Sequence, residues 1–184
     1  HADHFFDVIE AITPTPRWPA TAERIHLIDT EKGNLRATLE WLDRVGDYER
    51  YLRLATRLFP LWTPLGNIGE GRRWLERGVA RGTRVPADLR GLAMGHAGTL
   101  ASLQDEGELA LRRLEEALAL AGTVTHPTLD NRMDAAMMQR QMGHTLVRLG
   151  RYREAEPFME ASLRGFRELG NDVNVALSHE ALGQ

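Results

Sequence analysis

Apolar side chains recur along most of this chain at spacings of three and four, the period of helices that bury one face. Asn34 to Val45 sets Leu35, Thr38, Leu39, Leu42 and Val45 on one side, and Gly46 ends the run as glycine does just past a helix. Before it, Ala20 to Asp29 predicts a separate helix. His4 to Ile12 predicts a short one ended by Pro14, Pro16 and Pro19, because proline cannot continue a helix. Tyr48 to Trp62 carries Leu54, Leu58, Phe59, Leu61 and Trp62, with Pro60 and Pro64 placed to kink or end it. Two further helix pairs follow, Arg90 to Leu103 with Glu108 to Ala121, then a pair turned at Gly150 and Arg151.

Three stretches superimpose: Gly71 to Val79, Ala110 to Leu118 and Ala155 to Leu163. Each has a small residue, a large apolar residue four on, a second small residue seven on and an aliphatic residue eight on. One helix face thus repeats about every 40 residues, the period of stacked helical hairpins. Small residues let backbones approach, and the large residue one turn away fills the flanking groove. The pattern predicts an all-α chain of about ten helices without strands, in which neighbouring hairpins share a core. The hairpins fall at 47–82, 88–122 and 131–170, after an amino-terminal helical segment at 1–46. Leu182-Gly183 stands where Met142-Gly143 stood in the third hairpin, so 172–184 reads as half of a fourth repeat.

At these residues the chain resembles the tetratricopeptide repeat family. Met142-Gly143 stands for the Leu-Gly pair of the first helix, Gly150 and Tyr152 for the turn, and Ala155, Ser162 and Leu163 for the second helix. The earlier hairpins match less closely, with Phe59 where glycine is expected and Gly71 and Gly78 at the small positions. The resemblance implies a right-handed α-α superhelix. A second resemblance lies in Asn34 to Leu42, Gly46-Asp47, Leu52 to Ala55 and Glu70 to Arg77, with His1 to Phe6 at its start. These are similar to a segment of large bacterial STAND-type ATPases, many of them LuxR-family transcriptional regulators, in which a helical-repeat sensor region follows a nucleotide-binding module. The chain accordingly reads as a piece of a longer cytoplasmic polypeptide.

Composition narrows the chemistry. The 184 residues are 42% hydrophobic and 27% charged with a formal net charge of −3, which argues against a dedicated nucleic-acid surface. There is no cysteine, so disulfides and thiolate metal sites are excluded. Gly66 to Gly71 lacks the lysine of a phosphate-binding loop and reads as a turn. His1 and His4 find no third ligand, His179-Glu180 lacks the second histidine of a zinc-protease helix, and His26, His96 and His126 are isolated. No nucleophile elbow is present. Glu108, Arg112 and Glu116 are spaced to pair along one solvated helix face. The sequence therefore predicts no catalytic residue, no metal and no cofactor.

One cluster invites a binding role. By the tetratricopeptide resemblance, Met137, Arg140, His144, Val147 and Arg148 fall on the side of a first helix that lines the concave groove, with Arg53 on the same side of the first hairpin. Arg140, His144 and Arg148 stand at i, i+4 and i+8, a basic stripe suited to a carboxylate or phosphate, or else a solvated face. Met133, Met137, Met138 and Met142 read as core filler. The expected role is a non-catalytic sensor or protein-interaction module of a bacterial signalling ATPase or transcriptional regulator. Its partner would be a protein, another module of the parent chain or a small molecule. The alternatives are a self-associating scaffold and an all-helical enzyme.

Overall fold

The computed structural model describes residues 21–182, and over them the chain is all-helical, with no strand among the described residues. The expected helix over 4–12, the His1–His4 pair and Gly183 lie outside the described residues. The first described helix, α1 (Ala22–Val45), is unbroken where two helices were expected. Ile28, Leu35, Leu39 and Leu42 occupy one buried stripe, so the same face continues straight through Gly33. A Cβ on Gly33 would meet nothing within 4 Å, an Asn34–Glu31 side-chain bond (2.7 Å) spans the position, and Lys32–Asp29 (3.0 Å) pairs in the turn before it. One helix glycine costs about 1 kcal/mol relative to alanine, too little to break a helix that a buried stripe holds down.

Next come α2 (Tyr48–Arg57), the single turn α3 (Phe59–Trp62) and α4 (Ile68–Arg81). The α2–α3 break is the work of Pro60. The Leu58 N–H still bonds the Leu54 carbonyl at 3.1 Å, and a new turn starts when Leu61 N–H bonds Leu58 O at 3.0 Å. The second hairpin is α5 (Ala87–Leu103) with α6 (Gly107–Gly122), the third α7 (Leu129–Arg148) with α8 (Tyr152–Glu168), and α9 (Asp172–Leu182) packs on α8. The α7–α8 turn passes through Gly150 at φ +73°, a left-handed backbone that glycine adopts without steric cost. Each second helix also packs on the following first helix, α4 on α5 and α6 on α7, while α2, α5 and α7 touch in series.

All six small positions read from the repeat are buried: Gly71, Ala110 and Ala155, then Gly78, Ala117 and Ser162. So are the large residues between them, Leu75, Leu114 and Met159. In the second and third hairpins a first-helix glycine receives the bulk. A Cβ on Gly98 would lie 3.0 Å from Leu114 Cγ and 3.1 Å from the Ala110 carbonyl oxygen; on Gly143 it would lie 2.5 Å from Met159 Sδ. The first hairpin reverses this. Its glycines sit on the second helix, where a Cβ on Gly71 would come within 2.5 Å of the Trp62 indole and one on Gly78 within 2.7 Å of the Tyr51 ring.

Two buried clusters result. One joins α1 to α4 and one side of α5 through Tyr51, Leu54, Leu61 and Leu100; the other joins α5, α6, α7 and α8 through Leu114, Met138, Met142 and Leu146. Polar groups tie the hairpins to one another. Ser102 and Thr145 share a buried hydroxyl hydrogen bond of 3.0 Å, and Arg72–Glu106 (2.8 Å), Arg113–Glu76 (3.6 Å) and Arg151–Glu108 (3.3 Å) cross between elements. Glu108 therefore pairs with the next hairpin, and Glu116 with Arg113 at 3.0 Å, in place of the Arg112 pairs expected along one face. No described helix is long and apolar enough to cross a membrane.

Candidate functional site

Between α5 and α7, with α3 at one end and the start of α9 at the other, lies a groove of about 530 Å³, within the range of small-molecule sites. Gly95 makes room for it. A Cβ there would stand 2.7 Å from Met138 Cε, so the Met138 side chain lies against the bare α5 backbone and forms part of the lining. One turn on, the Thr99 hydroxyl donates to the Gly95 carbonyl at 3.0 Å and so satisfies its proton within its own helix.

The aromatic wall comes from the irregular part of the first hairpin. Phe59 opens the α3 turn beyond the Pro60-induced break and stacks on His96 of α5, ring centroids 3.8 Å apart and planes 9° from parallel. Phe59 thus departs from the repeat pattern at the position where it faces the groove. At the other end, Asn171 caps α9 by accepting the Asn174 N–H at 3.0 Å, and its amide donates to Met133 Sδ at 3.7 Å.

Arg140 connects the two halves. Its Nη1 donates to Asn174 Oδ1 at 2.7 Å, and its guanidinium carbon stands 5.6 Å from the centre of the Phe166 ring. Burial pushes its pKa down, and no carboxylate among the described residues offsets that cost. Asp134 also lines the groove, six residues back along α7 and about 9 Å away along the helix axis.

Of the residues proposed from sequence, Met137 and Arg140 line this groove. His144 is half-buried one turn beyond Arg140. Its Nε2 is buried without a hydrogen-bond partner among the described residues, and burial first, then the Arg140 charge, pushes its pKa below the usual histidine value. Arg148 is drawn elsewhere: Nη1 donates to the Ser102 carbonyl at 2.8 Å and Nη2 pairs with Asp105 in the α5–α6 turn. Val147 is exposed beside it. Arg53 pairs with Glu49 on the surface of α2 at 2.6 Å. The basic stripe is therefore divided, with Arg140 in the groove, His144 half-buried one turn on and Arg148 in an inter-hairpin tie, while Arg53 is held in its surface pair on α2. Of the four methionines read as filler, Met138 and Met142 are buried and Met137 faces the groove.

Sequence reasoning missed Phe59, His96, Thr99, Asn171 and Asn174 as one site. The available signal was Phe59, a bulky residue at a repeat position that called for glycine. Among the described residues no three His, Asp or Glu side chains gather as a metal site. The arrangement offers one guanidinium, several amide and hydroxyl groups and a flexible apolar lining, a set suited to holding a ligand. No protein-family model matches the chain, and no curated protein matches it.

Proposed function

We propose that this chain is a binding module without chemistry of its own, a helical-hairpin array that serves as the sensor or interaction part of a bacterial signalling ATPase or transcriptional regulator working in the cytoplasm. The observation that carries the binding role is the groove of about 530 Å³ between α5 and α7, with Arg140 on its wall. The repeat register and the α1–α4 sequence resemblance support the regulatory context. Occupancy acts on the parent chain by favouring one arrangement of the array, since a ligand shifts an equilibrium only by its differential affinity.

Thr99→Trp fills the groove from a half-buried position while leaving the hairpin glycines untouched. A thermal-shift screen of metabolites and peptides should find compounds that stabilise the native chain and leave Thr99→Trp unmoved. Identical responses from the two proteins across the screen remove the reading. A second reading, self-association, is favoured by Val173 and Leu177, which lie at i and i+4 on α9 and are 71% and 48% exposed. Light scattering that shows a monomer at every concentration eliminates it.

A further inference from the structure

Arg140 narrows the choice of occupant. Elsewhere in the array the arginines at helix junctions meet carboxylates: Arg36 meets Glu70 at 2.5 Å, Arg72 meets Glu106 at 2.8 Å and Arg81 meets Asp43 at 2.8 Å. Arg140 is more enclosed than most surface arginines, yet its hydrogen-bond acceptor is the neutral amide oxygen of Asn174. A guanidinium carries five N–H donors, and one amide oxygen answers one of them. A desolvated cation without a counter-charge is unfavourable, and an incoming anion relieves that cost through charge-assisted, often bidentate, hydrogen bonds.

The rest of the lining sets the size and character of that anion. Among the described residues Arg140 is the single Arg or Lys on the groove wall, so one negative charge is matched there and no second described cation meets a further charge of a phosphate. Asp134 lines the same groove but makes no hydrogen bond or ion pair with Arg140. The groove that Arg140 lines is also walled by Met137, Met138, Leu92 and the Phe59–His96 stack, an apolar surface whose thioethers adapt to shape.

We infer that the groove binds a small organic acid, with a single carboxylate on the Arg140 guanidinium and an apolar body against Met138, Leu92 and Phe59. This rests on the groove being a binding site, as proposed above, and adds the chemistry of what it holds. Asn174 is then a positioning residue that aims the guanidinium and leaves its remaining donors for the ligand.

Calorimetry on the full 184-residue chain tests this with naphthylacetate as probe and naphthylacetamide as its neutral isostere. The native chain should bind the acid roughly tenfold or more tighter than the amide, the ratio expected of a hydrogen bond to a charged group. Arg140→Gln should erase that preference. Asn174→Asp, which keeps the guanidinium but gives it an internal carboxylate, should weaken the acid by a similar factor and leave the amide unchanged. In the native chain, naphthylacetate should move the methyl resonances of Met137 and Met138 and leave that of Met159 in place. Equal binding of acid and amide, lost in Thr99→Trp, overturns the organic-acid inference while the groove stands as a binding site. Binding of neither probe, or an acid preference that survives Arg140→Gln, also overturns it.

Discussion

In the first hairpin the second helix supplies the glycines and the first helix supplies the bulk, whereas in the third hairpin the assignment is reversed. Gly71 and Gly78 accept Trp62 and Tyr51; Gly143 accepts Met159. Both solutions set a glycine against a large side chain but at different repeat positions, Gly143 being the first-helix glycine that Phe59 replaces in the first hairpin, and Gly71 and Gly78 second-helix small positions. The difference lies in compliance. An indole is a rigid plate fixed by its own packing, while a methionine thioether has three rotatable bonds and moves aside. The second hairpin falls between, with Gly98 facing the branched Leu114 and a backbone carbonyl.

The sharpest way to break the comparison is to add the same methyl group to each glycine and follow urea denaturation. Gly71→Ala should cost about 2 kcal/mol, because overpacking against Trp62 exceeds the roughly 1 kcal/mol that alanine gains as a helix former. A Gly71→Ala protein as stable as the parent would show that the indole is not a fixed wedge. Gly98→Ala meets Leu114 Cγ at 3.0 Å and the Ala110 carbonyl at 3.1 Å, contacts with less room to yield than a thioether. It should lose about 1 kcal/mol. Gly143→Ala should come out within about 0.5 kcal/mol of neutral, the helix gain offsetting the displacement of Met159. A loss there as large as that of Gly71→Ala would mean that compliance does not separate the hairpins.

The smallest effect depends on pH and belongs to the third hairpin. The folded-state pKa of His144 lies below its unfolded value, so the unfolded chain takes up the proton first on acidification. The stability associated with the neutral imidazole is complete above the ordinary histidine pKa of about 6.5 and is lost as pH falls toward the depressed folded value. Denaturation midpoints measured from neutral to mildly acidic pH should decline, and His144→Gln should remove part of that slope. An identical slope in the variant would assign the decline to other groups.

Much of the packing was legible beforehand. The small positions of all three hairpins and the large residues between them are the buried ones, because helical spacing alone decides which side chains share a face. Turn glycines and the Pro60 break are equally local. What was not legible has a common cause. Local spacing gives separate helices over Ala20 to Asp29 and Asn34 to Val45, whereas the buried stripe carries α1 unbroken through the residues between them. The binding groove escaped because Phe59 and His96 lie on different hairpins, as do Arg140 and Asn174, and only the stacking of helices brings them together.

The fates of Arg140 and Arg148 mark the division. They stand two turns apart on α7, and periodicity assigns them to one stripe. A long, flexible side chain ends several ångströms from its own helix, so its partner is set by whichever element packs alongside: the start of α9 for Arg140, the α5–α6 turn for Arg148. The sequence alone thus determined the helices, their buried faces and their period, since these follow from steric rules acting over a few residues. Which charge faces the groove and which closes a junction was decided by tertiary packing, because it depends on the separation between helices that are distant along the chain.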